Sequence, residues 1–403
     1  MNIFRSLKYS NFAFLWAGQT TSRLGDHLYR IALAWWVLEK TGSAAAMGTV
    51  LIFSSVPMLI FLLIGGVTVD RFPRVRIMLL SDILRGVLVG FVALLAFTNR
   101  LEIWHIYVAS ILFGFVSAFF QPAYIAIIPD VVPSEGRPSA NSLTALSGQL
   151  TGIAGPAIGA VIVAFGGTAS AFALDAVSYF VSGLCLLPIL RLTMQSDQPR
   201  VRSHPLEEFR EGWRAVTSMP WLWITISIAA FANLTQAGPY QVGLPFLVKT
   251  NLGNDVRVLG WLFSAASLGS VMAALWLGHA TKLRRRGLIS YIGLVIWGLT
   301  LVILGLPLGL PLLLATNFMM MASLNVFNLI WTNTLQEMVP HELLGRISSI
   351  DYLGSFVLLP IGYGLAGWAI DFFGAPPVFI VGGVLTALLA LLAFLHPAIR
   401  NLD

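Results

Sequence analysis

The amino-acid sequence predicts an all-α membrane protein with twelve transmembrane helices, arranged as two six-helix bundles. Three observations lead there. Hydrophobic residues make up 57% and charged residues 10% of the 403 residues, whereas a soluble domain carries roughly 25% charged side chains; the bilayer must be the solvent. The apolar runs reach about 20 residues or more, the length a helix needs to cross a hydrocarbon core of about 30 Å. The two halves also carry matched residues at fixed offsets. Lipid allows only helix bundles or closed barrels, because every backbone donor and acceptor must be paired inside the protein. The alternating segments of about 10 residues that mark a barrel are absent.

In order, the expected spans are 12–38, 47–69, 75–97, 103–128, 139–165 and 171–190 in the first half, and 221–248, 258–280, 287–308, 310–336, 345–370 and 375–396 in the second. The short polar start, with Arg5 and Lys8, precedes an apolar run without a small-residue cleavage site, so that run reads as a retained first helix. The ninth and tenth spans are parted only by Leu306-Pro307-Leu308-Gly309-Leu310-Pro311. Residues 191–219 hold five arginines against Asp197, Glu207, Glu208 and Glu211, and read as a water-exposed linker with an amphipathic helix over 207–216. The domains expected are therefore a bundle over 1–190, the linker, and a second bundle over 220–403.

Lys and Arg outside the spans number seventeen on one side and four on the other, the sparse side holding Lys40, Arg100, Lys249 and Arg257. The positive-inside rule puts both termini and the linker in the cytoplasm of a multi-pass cell (inner) membrane protein. Loop basicity also accounts for the net charge of +6, and no nucleic-acid partner is implied. Cys185 is the single cysteine, which excludes a disulfide framework or cysteine metal cluster.

Internal repetition is explicit. Gly48, Gly66 and Arg74 recur as Gly260, Gly278 and Arg286 at an offset of 212, and Asp130-Val-Val-Pro133-Ser-Glu135 recurs as Glu337-Met-Val-Pro340-His-Glu342 at an offset of 207. Parallel six-helix repeats joined by a linker describe a secondary transporter that rocks between states.

Several stretches resemble the major facilitator superfamily, across essentially the whole chain. Its loop signature is similar to Gly66-x-x-x-Asp70-Arg71-x-Pro73-Arg74-x-Arg76, with Pro73 where the pattern usually has Gly. An exporter signature resembles Gly152-Ile-Ala-Gly155-Pro156-Ala-Ile-Gly159, here followed by Ala160. Trp16-Ala-Gly-Gln19 with Leu24-Gly25-Asp26, and Phe120-Gln-Pro122-Ala123 with Ile128-Pro129-Asp130-Val131-Val132-Pro133, look like the branch of enterobactin-type siderophore exporters and macrolide-efflux proteins. The resemblance implies the major facilitator fold and a cavity lined by helices one, four, seven and ten. It also implies that Asp70 faces the start of the eleventh helix near Gly345, where a carboxylate gains about 0.3–1 kcal/mol from the helix dipole.

Gating candidates are Gly66, Asp70, Arg71 and Arg74 in the loop signature and Gly155, Pro156 and Gly159 on the fifth helix. Gly66 is expected to admit a neighbouring helix closely, while Arg71, Arg74 and Arg76 also serve topology. Gly148, Gly152, Gly155 and Gly159 share a face, and Pro156 removes a backbone hydrogen bond and should bend the helix. With Ala265, Gly269 and Ala273 on the eighth helix, they form either a sliding seam or static packing.

Helix one is the most informative. Gln19, Ser22, Arg23, Asp26 and Arg30 fall on one stripe, and each charge inside a span costs on the order of 3 kcal/mol unless paired or wetted. Arg23–Asp26 and Asp26–Arg30 have pairing spacings. The face is expected to line the cavity, with Trp35 and Trp36 at the outer interface and His27 structural. Asp26 is the candidate proton carrier, and Arg23 or Arg30 would attract an anionic group; the alternative is a structural charge cluster. Asp82 and Arg85, near the inner end of helix three, read as a structural pair. Asp175 and Asp351 read as shallow.

The other substrate candidates are Gln121 and Tyr124 on the fourth helix, Asn233, Gln236 and Tyr240 on the seventh, where Gly238-Pro239 reads as a break, and Asn325 and Asn328 on the tenth. Amides with aromatics suit an amphiphilic organic solute. No nucleotide-binding loop or catalytic constellation is present, so neither a cofactor nor an enzyme is expected. Met319-Met320-Met321 point different ways and read as packing. The expected function is proton-coupled export of a drug-like or siderophore-like compound by a monomer. The alternatives are an importer or facilitator of a small metabolite or lipid, and a non-transporting sensor or scaffold.

Overall fold

A computed structural model describes residues 3–190, 205–278 and 285–402. The expected spans fall on helix over most of their length, with 279–280 outside the described residues. The first half comprises α1 (Ser10–Thr41), α2 (Ala44–Arg71), α3 (Arg74–Phe97), α4 (Ile103–Val131) and α5 (Arg137–Leu190). The surface helix α6 (Pro205–Ser218) precedes α7 (Pro220–Gly238), α8 (Leu244–Asn251), α9 (Val256–Gly278), α10 (Arg286–Leu304), α11 (Leu310–Met338), α12 (His341–Phe356), α13 (Leu359–Phe373), α14 (Ala375–Phe394) and α15 (Pro397–Arg400).

Nine of the described helical segments are long and apolar enough to cross a bilayer. α1 is not among them, in keeping with its polar stripe. α5 covers two expected spans: at 54 residues it would extend about 80 Å if straight, far beyond one crossing. It turns at Gly167, whose φ of 74° and ψ of 170° are non-helical and open to glycine at little steric cost. Gly42, at φ 65°, ends α1 by donating its N–H to Leu38 O, the left-handed cap that glycine favours.

The break expected at Gly238-Pro239 is instead a π-helical turn, Pro239–Gly243, that carries α7 into α8. Proline lacks the N–H that a regular turn would use, and a wider turn absorbs the defect without ending the rod. The eleventh span does part, between α12 and α13, with a proline at the start of α13. Pro156 lies within continuous helix.

The chain divides into two compact units, one of Met1–Gly42, Thr49–Arg200 and Asn254–Ser264, the other of Ser43–Gly48, Val201–Gly253 and Ala265–Asp403. In the first, α5 packs against α1 and α3, and α3 also packs against α4. Its core includes Phe12, Met78, Phe120, Ile127, Leu143 and Leu186. In the second, α10 packs on α11 and α14 while α7 packs on α12, α13 and α14, around Leu222, Tyr291, Leu294, Phe327 and Ile347.

Candidate functional site

Three charged residues are fully buried among the described ones: Asp82, Arg85 and Asp175, at 0%, 4% and 0% exposure. All three lie in the first unit, on α3 and the second half of α5, and they meet α1 at Asp26. The Tyr179 hydroxyl donates to Asp26 Oδ1. Gln19 Nε2 donates to Ser182 Oγ at 2.9 Å, and Ser182 Oγ donates to Asp82 Oδ2 at 2.7 Å. Ser178 Oγ bonds to Asp175 O at 2.7 Å. Asp26 and Asp175 are near enough to repel one another, and Arg85 attracts both.

Close approach is what brings these groups together. A Cβ on Gly25 would stand 2.1 Å from Ser178 Oγ and 2.4 Å from Asp175 Oδ1, so only a glycine lets α1 seat there. Arg85 is held by rings rather than by a carboxylate. Its guanidinium carbon lies 4.3 Å from the Phe120 centroid, 5.2 Å from that of Phe113 and 5.8 Å from that of Tyr179, and Nη2 donates to Ser117 Oγ at 3.2 Å. A desolvated cation on aromatic faces gains about 2 kcal/mol. Asp82 Oδ1, Asp175 Oδ2 and Arg85 Nε have no hydrogen-bond partner.

The expected structural pair of Asp82 with Arg85 is therefore not formed, and neither residue is shallow. Nor is Asp175, which lies eight residues past Gly167, about 12 Å along the helix. Asp82 and Arg85 share α3 while Asp175 lies on the second half of α5, and position along an apolar run says nothing about depth.

The stripe on α1 splits. Gln19 and Ser22 are buried and Asp26 is half-buried, facing α5 within the unit. Arg23 turns aside: its guanidinium lies 5.0 Å from the Tyr124 ring centroid, and Nη1 is 3.4 Å from Thr144 O. It borders an open cleft of about 460 Å³ with Asn141, Thr144 and Gln149. Arg30 is exposed. Neither expected pairing of Asp26 with an arginine forms, because the Tyr179 hydroxyl takes the carboxylate. Trp35 is buried rather than an interfacial anchor.

The glycine stripe of α5 seats α1 inside the first unit. A Cβ on Gly155 would meet His27 Cβ at 2.6 Å, and one on Gly159 would meet Leu28 Cα at 3.1 Å. A Cβ on Gly260 would meet Ala160 Cβ at 2.5 Å and Pro156 O at 2.8 Å. On α9, Gly269 instead packs on Phe318 of α11. The close approach expected at Gly66 lies one residue earlier: Gly65 packs on Ala118, and a Cβ on Gly66 would meet nothing within 4 Å. Arg74 Nη1 bonds to Asp130 Oδ2 at 2.6 Å and to Ala126 O at 2.7 Å, while Arg71 is exposed. The Asp70 side chain, the linker arginines before 205, Lys282 and Arg284 lie outside the described residues.

In the second unit the amides form a chain. Gln236 Nε2 donates to Asn233 Oδ1 at 3.1 Å, and Asn233 Nδ2 donates to Ser355 O at 2.9 Å. Ser355 Oγ and Trp331 Nε1 reach the two oxygens of Asp351, at 3.3 and 3.0 Å. Asn325 Nδ2 donates to Ser270 O at 2.6 Å. Tyr240 is buried with its ring edge-on to Trp297, away from the amide chain. Asn328 and, in the first unit, Gln121 are exposed.

Long apolar helices, two related bundles and ionisable groups buried within the protein define the transporter class of polytopic membrane proteins. The chain belongs to the major facilitator superfamily: a family model described as "Transmembrane secretion effector" matches residues 2–307, and one described as "Major Facilitator Superfamily" matches residues 226–401. The family comprises transporters rather than enzymes. Macrolide efflux protein A of Streptococcus pyogenes is 24% identical, with 98% of this chain and 99% of that protein aligned. Multidrug efflux pump Tap of Mycolicibacterium fortuitum is 26% identical over 95% of each. Enterobactin exporter EntS of Escherichia coli is 28% identical over 80% of this chain and 76% of its own length. A bacterial homologue of the iron transporter ferroportin shares the fold at a TM-score of 0.73 and 15% identity, covering 96% of this chain and 99% of its own. Nucleoside transporter NupG shares it at 0.75 and 12%, covering 98% and 100%.

Proposed function

We propose that this protein is a proton-coupled exporter of an amphiphilic organic compound, working by alternating access with both termini in the cytoplasm. The observation that carries the reading is the charge balance of the first unit. Asp26, Asp82 and Asp175 share one buried guanidinium, that of Arg85. Full ionisation would set three carboxylates against one buried guanidinium, with only the less buried Arg23 and Arg30 also attracting Asp26. In this medium each uncompensated charge costs several kcal/mol, so the cluster is a place where a proton can be held and handed on. Asp26, half-buried and bonded to Tyr179, is the group through which protons enter and leave. The likeness to macrolide, multidrug and enterobactin efflux proteins supports export of a bulky organic solute. Arg23, at the open cleft with Tyr124, would meet an anionic or aromatic part of it. The seventeen basic residues on one side against four on the other support the orientation.

The test is uptake of a labelled macrolide and a labelled catechol siderophore by inverted membrane vesicles carrying an imposed pH gradient. Uptake that collapses with the gradient is expected. Equilibration independent of the gradient would establish a facilitator, and movement in the opposite direction an importer. Absence of flux for a broad solute panel, with no alternation of cysteine labelling between faces, would establish a scaffold.

A further inference from the structure

The second unit carries an apolar groove that the transport reading does not use. α6 meets the rod that begins at Pro220 at an angle of 102°, so when α7 crosses the bilayer α6 lies along its surface. Beneath α6 runs a cavity of about 740 Å³ walled by α6, α7 and α12. Trp213 forms its roof; Trp223, Ala230 and Phe231 line it along α7, and Leu353 and Val357 along α12. The α7 wall runs eight residues from Trp223 to Phe231, about 12 Å in the direction of the bilayer normal. Trp213, Trp223 and Phe231 stay 53%, 44% and 49% exposed.

Two arginines of α6 stand beside the roof of this groove. Arg210 falls one turn before Trp213 and Arg214 directly after it, so both flank the roof. Both are exposed, and among the described residues neither forms an ion pair. Glu211, the carboxylate between them, is taken by Arg346 of α12. A Cβ on Gly212 would stand 2.8 Å from Ile350 Cδ1, which pins α6 down on α12 and holds the arginines beside the roof.

We infer that this groove binds an anionic glycerophospholipid of the leaflet in which α6 lies, with one acyl chain along α7 and α12 and the phosphate at Arg210 and Arg214. An apolar channel along the bilayer normal fits a hydrocarbon chain, and two guanidiniums at its surface end that form no ion pair among the described residues fit a negative headgroup. Neither half of the site needs the other's chemistry, so each can be removed separately.

The test is native mass spectrometry of the full chain in detergent, titrated with phosphatidylglycerol and with phosphatidylcholine of the same acyl chains. Wild type should retain phosphatidylglycerol with a preference of roughly tenfold or more. Arg210→Gln with Arg214→Gln should retain both lipids equally. Ala230→Trp, which fills the groove, should retain neither. Equal retention by wild type, or a preference that survives the double arginine variant, overturns the inference. Should Ala230→Trp fail to fold, the arginine variant decides alone, because its two side chains are exposed on the surface of α6.

Discussion

Arg74 of α3 grips Asp130 at the end of α4 at 2.6 Å, and the equivalent residues of the second unit, Arg286 of α10 and Glu337 of α11, grip one another in the same way. The arginine opens the third helix of each repeat and the carboxylate closes the fourth. Each clasp thus ties two helices of one bundle at the same end, and Arg74 adds a bond to Ala126 O.

The clasp should be measurable as a coupling. In a double-mutant cycle with Arg74→Gln and Asp130→Asn, the interaction term is expected near 1 kcal/mol, the upper range for a partly exposed pair. Thermal unfolding in detergent reads it. Additive single effects would show that the contact contributes nothing.

At Asp26 the expected outcome is loss of coupling without loss of fold. Asp26→Asn should insert at wild-type levels and transport at background, with no response to a pH gradient. Wild-type flux in vesicles from that variant would remove Asp26 from the mechanism.

Arg85 is the lone cation among buried carboxylates. Arg85→Gln should lower stability by about 3 kcal/mol, the scale for deleting one partner of a buried charge group, seen as a large drop in melting temperature. Asp82→Asn added to that variant should recover part of the loss, because it removes one of the charges left unmatched.

Two glycines should respond oppositely to alanine. Gly25→Ala forces a methyl group into Ser178 and Asp175, and yield and melting temperature should fall by an amount typical of overpacking, about 1–3 kcal/mol. Gly66→Ala meets open space on a helix and should gain about 0.5–1 kcal/mol from reduced chain entropy. Parallel thermal scans settle both.

Topology can be read with thiol probes, since Cys185 is the single cysteine. In a Cys185→Ser background, Arg100→Cys should react with an impermeant maleimide on intact cells, and Asn401→Cys only after lysis. The reverse pattern would invert the orientation.

Much of the scaffold was legible in the sequence. Hydropathy located the long apolar helices because the bilayer imposes a minimum apolar length, and the offsets joining Arg74 to Arg286 and Asp130 to Glu337 marked the ends that the clasps tie. The depth of charges was not legible. Asp82 and Arg85 interrupt one apolar run and Asp175 another, and the approach of Asp26 to Asp175 depends on how closely α1 seats on α5, which Gly25 decides through contacts far apart in sequence. Trp35 shows the same limit: a tryptophan near a span end has the composition of an anchor, but only packing says whether it faces lipid or protein.

The clasps recur in both bundles, whereas fully buried charge among the described residues occurs in one of them only. Duplication kept what holds a bundle together and let the interiors drift apart, one toward ionisable groups and the other toward amides. If the proposed coupling holds, the amide-bearing bundle is the natural place to retune cargo choice, for substitutions there leave the buried charges of its sister untouched.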